Sequence, residues 1–332
     1  MQNLVGIDVG GTFTDLYLTG GGRVQVLKVP STPGDPAQGL LDALAATQLP
    51  PREIAAILHG TTIATNAIIE RHGARAALVT TKGFRDILEL GRRDRPTMYG
   101  LAGRHLPLIA RDLRWELDER LGHDGTVLKA LDEAEVRRLG EVLQAQGVEA
   151  VVISFLHSYA NPAHEERVRD ILAETNPAWH LVTSSGVIRE YYEFERTSTA
   201  AVQGFLQPLV SRYAERLQAQ LKAWGYQRDL LIMQSNGGLV PIKDLGAKAA
   251  WIVRSGPAAG VMAAAELAAQ AGWRHVITGD MGGTSFDVAV VIDGVPDVAE
   301  STNLDFRTPL RLPMIDVHTI GAGGGSLADL DA

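Results

Sequence analysis

The same glycine turn occurs twice in this sequence, in register, and that duplication constrains the fold more than any other feature. Asp8, Gly10, Gly11, Thr12 and Asp15 recur as Asp280, Gly282, Gly283, Thr284 and Asp287, each pair separated by 272 positions. Gly22 and Gly294 keep that spacing. Each copy follows one apolar run (residues 4–7 or 275–278) and leads into another (16–18 or 288–292). Both copies therefore read as strand, tight turn, strand. An internal repeat of this kind marks a duplicated unit, with equivalent turns placed on either side of a pseudo-twofold axis.

The length of 332 residues agrees with two lobes around a cleft, because it exceeds what one ordinary core serves. With 45% hydrophobic and 21% charged residues, the chain falls among folded globular proteins. Its formal net charge of -8 gives no general attraction for nucleic acid, so a phosphate site has to be built locally from backbone amides or a bound cation. The absence of cysteine removes disulfides, iron-sulfur clusters, thiolate zinc sites and cysteine nucleophiles, and fits a cytoplasmic home. No basic leader opens the sequence, and no run approaches the roughly 20 apolar residues needed to cross a bilayer. Neither a membrane nor a nucleic acid is an expected partner.

Between the two turns, strands and helices alternate, as in an α/β protein. Residues 75–80 and 148–155 have the pattern of buried strands, and 132–146 and 162–175 that of helices, with Asn161 as N-cap and Pro162 in the first turn of the second. Residues 197–224 read as a long helix, interrupted or kinked at Pro208, that bridges the lobes. Residues 230–234 form a strand leading to the turn Ser235-Asn236-Gly237-Gly238, and 257–269 an alanine-rich helix capped by Ser255 or Gly256. Residues 83–125, rich in Arg, Gly and Pro, read as an irregular insertion. The lobes divide as 1–196 and 197–332.

Successive glycines let the backbone approach a ligand and aim several N–H groups at one anion. Gly10 and Gly11, with Gly282 and Gly283, thus suit phosphate oxygens, and Thr12, Thr14 and Thr284 add hydroxyl donors. Asp8 and Asp280 repel phosphate, and they make better sense holding Mg²⁺ or its waters. A single such turn could be a plain hairpin, but two copies in register favour the phosphate reading. Other segments have simpler explanations: Thr61 or Thr62 suits a cap for the helix after them, residues 254–260 suit close helix packing, and His318 suits a buried, hydrogen-bonded histidine with no metal assigned. Gly323 and Gly324, in the loop 321–326, are the further candidates for nucleotide contact. No Walker loop occurs, and a dinucleotide fold has no room after residue 326.

The two motifs, Asp8-Val9-Gly10-Gly11-Thr12-Phe13-Thr14-Asp15 and Asp280-Met281-Gly282-Gly283-Thr284-Ser285-Phe286-Asp287, resemble the phosphate motifs of the actin, chaperone ATPase and sugar kinase superfamily. Within it the hydantoinase A/5-oxoprolinase family matches best. The supporting segments are His59-Gly60-Thr61-Thr62 with Asn66, Ser154-Phe155-Leu156-His157-Ser158-Tyr159 with His164-Glu165, Ser235 to Gly238, Arg254-Ser255-Gly256-Pro257, and His318 to Ser326. The resemblance implies a duplicated actin-like ATPase, or ribonuclease H-like, fold with two lobes around a nucleotide cleft. It implies ATP and Mg²⁺ as cofactors, Asp8 and Asp280 as catalytic and metal-organising residues, and hydrolysis of a cyclic amide such as a hydantoin or 5-oxoproline. A hydantoinase B-type partner and an oligomeric assembly are implied too. Because the family's A subunit continues past the second motif, the second lobe is expected to be truncated and the activity incomplete alone. An acetone carboxylase-type subunit, a small-molecule kinase and a non-catalytic nucleotide-binding fragment are the alternatives.

Overall fold

The computed structural model describes residues 3–10, 13–32, 36–94, 99, 105–282, 285–305 and 307–327. The chain opens with an antiparallel meander, β1 (Asn3–Val9), β2 (Phe13–Gly20) and β3 (Arg23–Pro30), then α1 (Pro36–Ala46), β4 (Ile54–Thr61) and α2 (Ile63–Ile69). Next comes β5 (Ala76–Thr81), then β6 (Arg114–Leu117), α3 (Glu133–Ala145), β7 (Ala150–Ser154), α4 (Ala163–Thr175) and β8 (His180–Thr183). The 32-residue α5 (Glu193–Trp224) leads to β9 (Leu231–Met233) and β10 (Leu239–Pro241). The last part holds α6 (Ser255–Gln270), β11 (Val276–Met281), β12 (Phe286–Ile292), β13 (Val295–Pro296) and β14 (Val317–Ile320).

Three main sheets result. The first has strand order β10-β9-β4-β1-β2-β3, with β4 parallel to β1 and β9 parallel to β4. The second, β8-β7-β5-β6, is wholly parallel and lies between β4 and β9 in sequence. The near-continuous apolar runs of its two central strands, β5 and β7, follow from burial on both faces, as in other parallel sheets. The third pairs β11 and β13 with β12, and β14 adds to β12. A meander followed by parallel strands, repeated in part, is the duplicated ribonuclease H-like α/β arrangement. The boundary drawn at 196/197 falls in the first turn of α5, and β9, which lies beyond it, pairs with β4 of the first sheet.

The repeat persists in three dimensions. Asp8 pairs with Asp15 across the first hairpin, and Asp280 with Asp287 across the second. Gly20 pairs with Arg23, and Ile292 with Val295, again 272 positions on. Gly22 (φ 76°) and Gly294 (φ 79°) occupy matching left-handed turn positions, where a side chain would be strained. In the second unit the third strand is split: β13 and β14 both pair with β12, and residues 297–316 are inserted between them.

Several local expectations are corrected. Residues 83–125 are not wholly irregular, since β6 joins the second sheet beside β5. The long helix starts at Glu193 and runs unbroken through Pro208. Asn161 accepts the Ala163 N–H (3.1 Å), and the helix begins at Ala163. Ser255 is inside α6, whose N-cap is Arg254 in a left-handed conformation (φ 63°). Among the described residues no helix is long and apolar enough to cross a membrane.

Candidate nucleotide site

Both motif turns close in the same way. Gly10 N–H donates to the Phe13 carbonyl (3.0 Å), and Gly282 N–H donates to the Ser285 carbonyl (2.9 Å). Gly11, Thr12, Gly283 and Thr284 lie outside the described residues. Thr14 is fully buried. The Ser31 hydroxyl donates to the Gly10 carbonyl (2.8 Å) and so accepts from the Thr14 hydroxyl (2.9 Å). Thr14 thus steadies the turn through Ser31, a residue that sequence reasoning missed.

Asp8 is the penultimate residue of β1 and lies beside Gly60 of β4. A methyl group on Gly60 would sit 3.0 Å from Asp8 Oδ1, so the glycine leaves room for the carboxylate. The Asp8 pKa is raised, first because protein atoms crowd the carboxyl away from water, then by the charges of Asp15 and Asp280. The charge of Asp280, in the second motif, thus bears on the Asp8 carboxyl of the first. Among the described residues no cluster of three His, Cys, Asp or Glu side chains is close enough to hold a metal ion. A pair of carboxylates still fits Mg²⁺, which takes most of its ligands from water and phosphates.

The remaining motif segments divide into two groups. One gathers around the turns. His59 is buried with Nε2 2.7 Å from the Tyr213 hydroxyl, and desolvation lowers its pKa to about 4, so it ties β4 to α5 as a neutral ring. Thr61 accepts the Ile63 N–H (3.3 Å) at the start of α2. The Ser255 hydroxyl donates to the Thr61 carbonyl (3.2 Å) and the Arg254 N–H to the Thr65 hydroxyl (2.9 Å), which joins the start of α6 to the end of β4. Further along, α6 packs Ala258, Val261 and Ala265 against Ala289 and Val291 of β12. Helix α6 therefore joins β4, which pairs with β1 of the first hairpin, to the second hairpin.

Gly324 N–H donates to the Gly282 carbonyl (3.0 Å), and Gly323 N–H to the Ser326 hydroxyl (3.0 Å), so the 321–326 loop folds back on the second turn. His318 is exposed, with Nε2 3.6 Å from Asp316 Oδ2; the expectation of a buried histidine is corrected, because its strand face is uncovered. The second group braces the parallel sheet instead. Glu165 is buried and accepts from the N–H groups of Phe155 and Ser185 and the hydroxyls of Ser184 and Ser185, at 2.6–2.9 Å. Buried Arg196 bonds the carbonyls of Phe155 and Glu190 and pairs with Glu193. These groups are saturated by one another.

Residues 4–176 match the hydantoinase/oxoprolinase N-terminal region, and residues 196–332 match the hydantoinase/oxoprolinase domain. Caprolactamase subunit alpha of Pseudomonas jessenii is 38% identical over 99% of this chain and 49% of its own length. The acetophenone carboxylase gamma subunit of Aromatoleum aromaticum is 36% identical, over 99% of this chain and 48% of that protein. The crystal structure of the ATP-dependent caprolactamase from Pseudomonas jessenii superposes with a TM-score of 0.87 at 35% identity, covering 99% of this chain and 49% of that one. The chain spans about half the length of the curated relatives it matches. On the matched domains, the shared architecture and the paired turns, the chain belongs to the hydantoinase/oxoprolinase family.

Proposed function

We propose that the chain is the nucleotide-binding part of an ATP-dependent cyclic-amide hydrolase. The observation that carries this reading is the pair of identically closed turns, with Asp280 near enough to act on the Asp8 carboxyl. A resonance-stabilised amide resists water. Attack of its carbonyl oxygen on the γ-phosphorus of ATP forms an O–P bond, breaks the bridge to the β-phosphate and releases ADP. A first water then adds to the activated ring carbon. The C–N bond breaks as the amine takes a proton, and a second water cleaves the acyl phosphate to carboxylate and inorganic phosphate.

The work of the protein here is positioning and charge stabilisation. Gly11, Thr12, Gly283 and Thr284 hold the β- and γ-phosphates through backbone N–H and hydroxyl groups, while Gly10 and Gly282, whose own N–H groups close the turns, let the backbone come close to the phosphates. Gly323 and Gly324 extend the second turn toward the nucleotide, and Thr14 acts through Ser31. Asp8 and Asp280 would hold Mg²⁺, directly or through water, and the ion would neutralise phosphate charge that this acidic chain does not. A hydantoinase B-type partner completes the hydrolysis.

The test uses the full-length protein with its partner subunit. The expected products are the ring-opened acid, ADP and inorganic phosphate in equal amounts, with turnover lost in both Asp8→Asn and Asp280→Asn. Wild-type turnover in both variants contradicts the assigned roles. Similarity to the acetophenone carboxylase subunit favours one second reading, a ketone carboxylase subunit, for which the product is a carboxylated ketone instead. A phosphorylated metabolite would identify a kinase.

A further inference from the structure

We infer that the groove beside the first turn seats the cyclic amide and selects an uncharged ring over one that carries a carboxylate; this rests on the hydrolase reading above. The groove has a volume of about 410 Å³ and is walled by Val9 and Gly10 at the end of β1 and by Thr62, Asn66 and Ala67 at the start of α2. That is within the roughly 300–1,000 Å³ of small-molecule sites. Gly10 belongs to both the turn and the groove, so a ring held there abuts the place where the turn would present the γ-phosphate.

The lining chemistry defines the ligand. Buried Val9 and Ala67, with Leu209 of α5, give an apolar floor for ring methylenes. Asn66 and Thr62 give neutral polar groups above it, and among the described residues Asn66 Nδ2 makes only a long 3.4 Å bond to Thr62 Oγ1. A small lactam has a cis amide, with N–H and C=O on one edge. A primary carboxamide has a donor and an acceptor on one edge as well, so Asn66 can pair with both. The second lone pair of the lactam oxygen then stays free for phosphorus. Among the described residues no lysine or arginine lines the groove, and its titratable groups are Glu70 and His72. A ring carboxylate would be desolvated beside the like charge of Glu70, with no lysine or arginine to offset it.

Two five-membered lactams that differ in one carboxylate, 2-pyrrolidinone and 5-oxoproline, test this by NMR titration of the 332-residue chain. Binding of 2-pyrrolidinone about tenfold tighter than 5-oxoproline is expected, with about a tenfold loss for 2-pyrrolidinone in Asn66→Leu. Asn66→Arg, which adds a cation, should reverse the preference. Equal or tighter binding of 5-oxoproline to the wild type overturns the inference, as does unchanged 2-pyrrolidinone binding in Asn66→Leu. Mg-ATP titrated into the same samples separates the two readings. Nucleotide binding with no lactam binding overturns the groove assignment and leaves the hydrolase reading standing. Lactam discrimination without nucleotide binding upholds the groove and counts against the nucleotide reading.

Discussion

The two motif hairpins are closed by the same hydrogen bond and are supported from opposite faces. In the first, Val5, Ile7, Leu16 and Leu18 are buried in a core formed with Leu40 and Leu44 of α1 and with Val202 and Leu206 of α5. The equivalent face of the second hairpin is open: Ile277, which corresponds to Val5, is 76% exposed, and Val290, which corresponds to Leu18, is 41% exposed. Helix α6 covers the other face there, through Ala289 and Val291. The first hairpin leaves its own counterpart of that face exposed at Leu4 and Tyr17. Even the partners of the second aspartate differ, since Asp15 pairs with Lys28 Nζ (2.9 Å) and Asp287 accepts from the Thr319 hydroxyl (2.5 Å). Closure of the turn is thus a local property of the Asp-x-Gly-Gly-Thr motif, whereas stability comes from whichever helix each hairpin meets.

The comparison breaks most easily through packing. Leu18→Ala should lower the unfolding free energy by about 2–5 kcal/mol, and Val290→Ala by no more than about 0.5 kcal/mol, both read from urea denaturation. Equal losses would mean that the second face is covered. A smaller difference is expected at the turns. A methyl group on Gly10 would lie 3.0 Å from the Phe13 carbonyl oxygen, tighter than ordinary contact, while on Gly282 it would lie 3.6 Å from the Ser285 oxygen. Gly10→Ala should therefore cost about 1–3 kcal/mol, and Gly282→Ala about 0.5 kcal/mol or less, in the same assay.

The smallest effect concerns protons. Folding raises the Asp8 pKa above its ordinary 3.8, so between those two values the folded chain keeps a proton that the unfolded chain has lost. Stability then falls as pH rises through that window, and Asp8→Asn should remove the fall. Because Asp280 contributes to the shift, Asp280→Asn should lower the Asp8 pKa in an NMR titration of its carboxyl carbon, despite the 272 residues between them. An unmoved titration would place the two motifs too far apart to share a ligand.

The duplicated turns, the α/β class and most helices were legible because glycine spacing and apolar period are written locally. Strand β6 was not, because its first residue, Arg114, is buried yet charged. The guanidinium there bonds the Ile109 carbonyl (3.0 Å) and Glu89 (3.0 Å), contacts that no apolar pattern announces. Ser31 was missed for a related reason, since its bond to Gly10 joins positions that only the folded meander brings together. The open strand face that exposes His318 depends on where helices pack, which the residues of β14 do not encode.

Amide hydrogen exchange with and without Mg-ATP tests the central claim most directly. The account predicts that residues 9–14 and 281–286 gain protection together, with one dependence on nucleotide concentration. Protection of one segment alone, or of the two at different concentrations, would contradict a single nucleotide held between both turns.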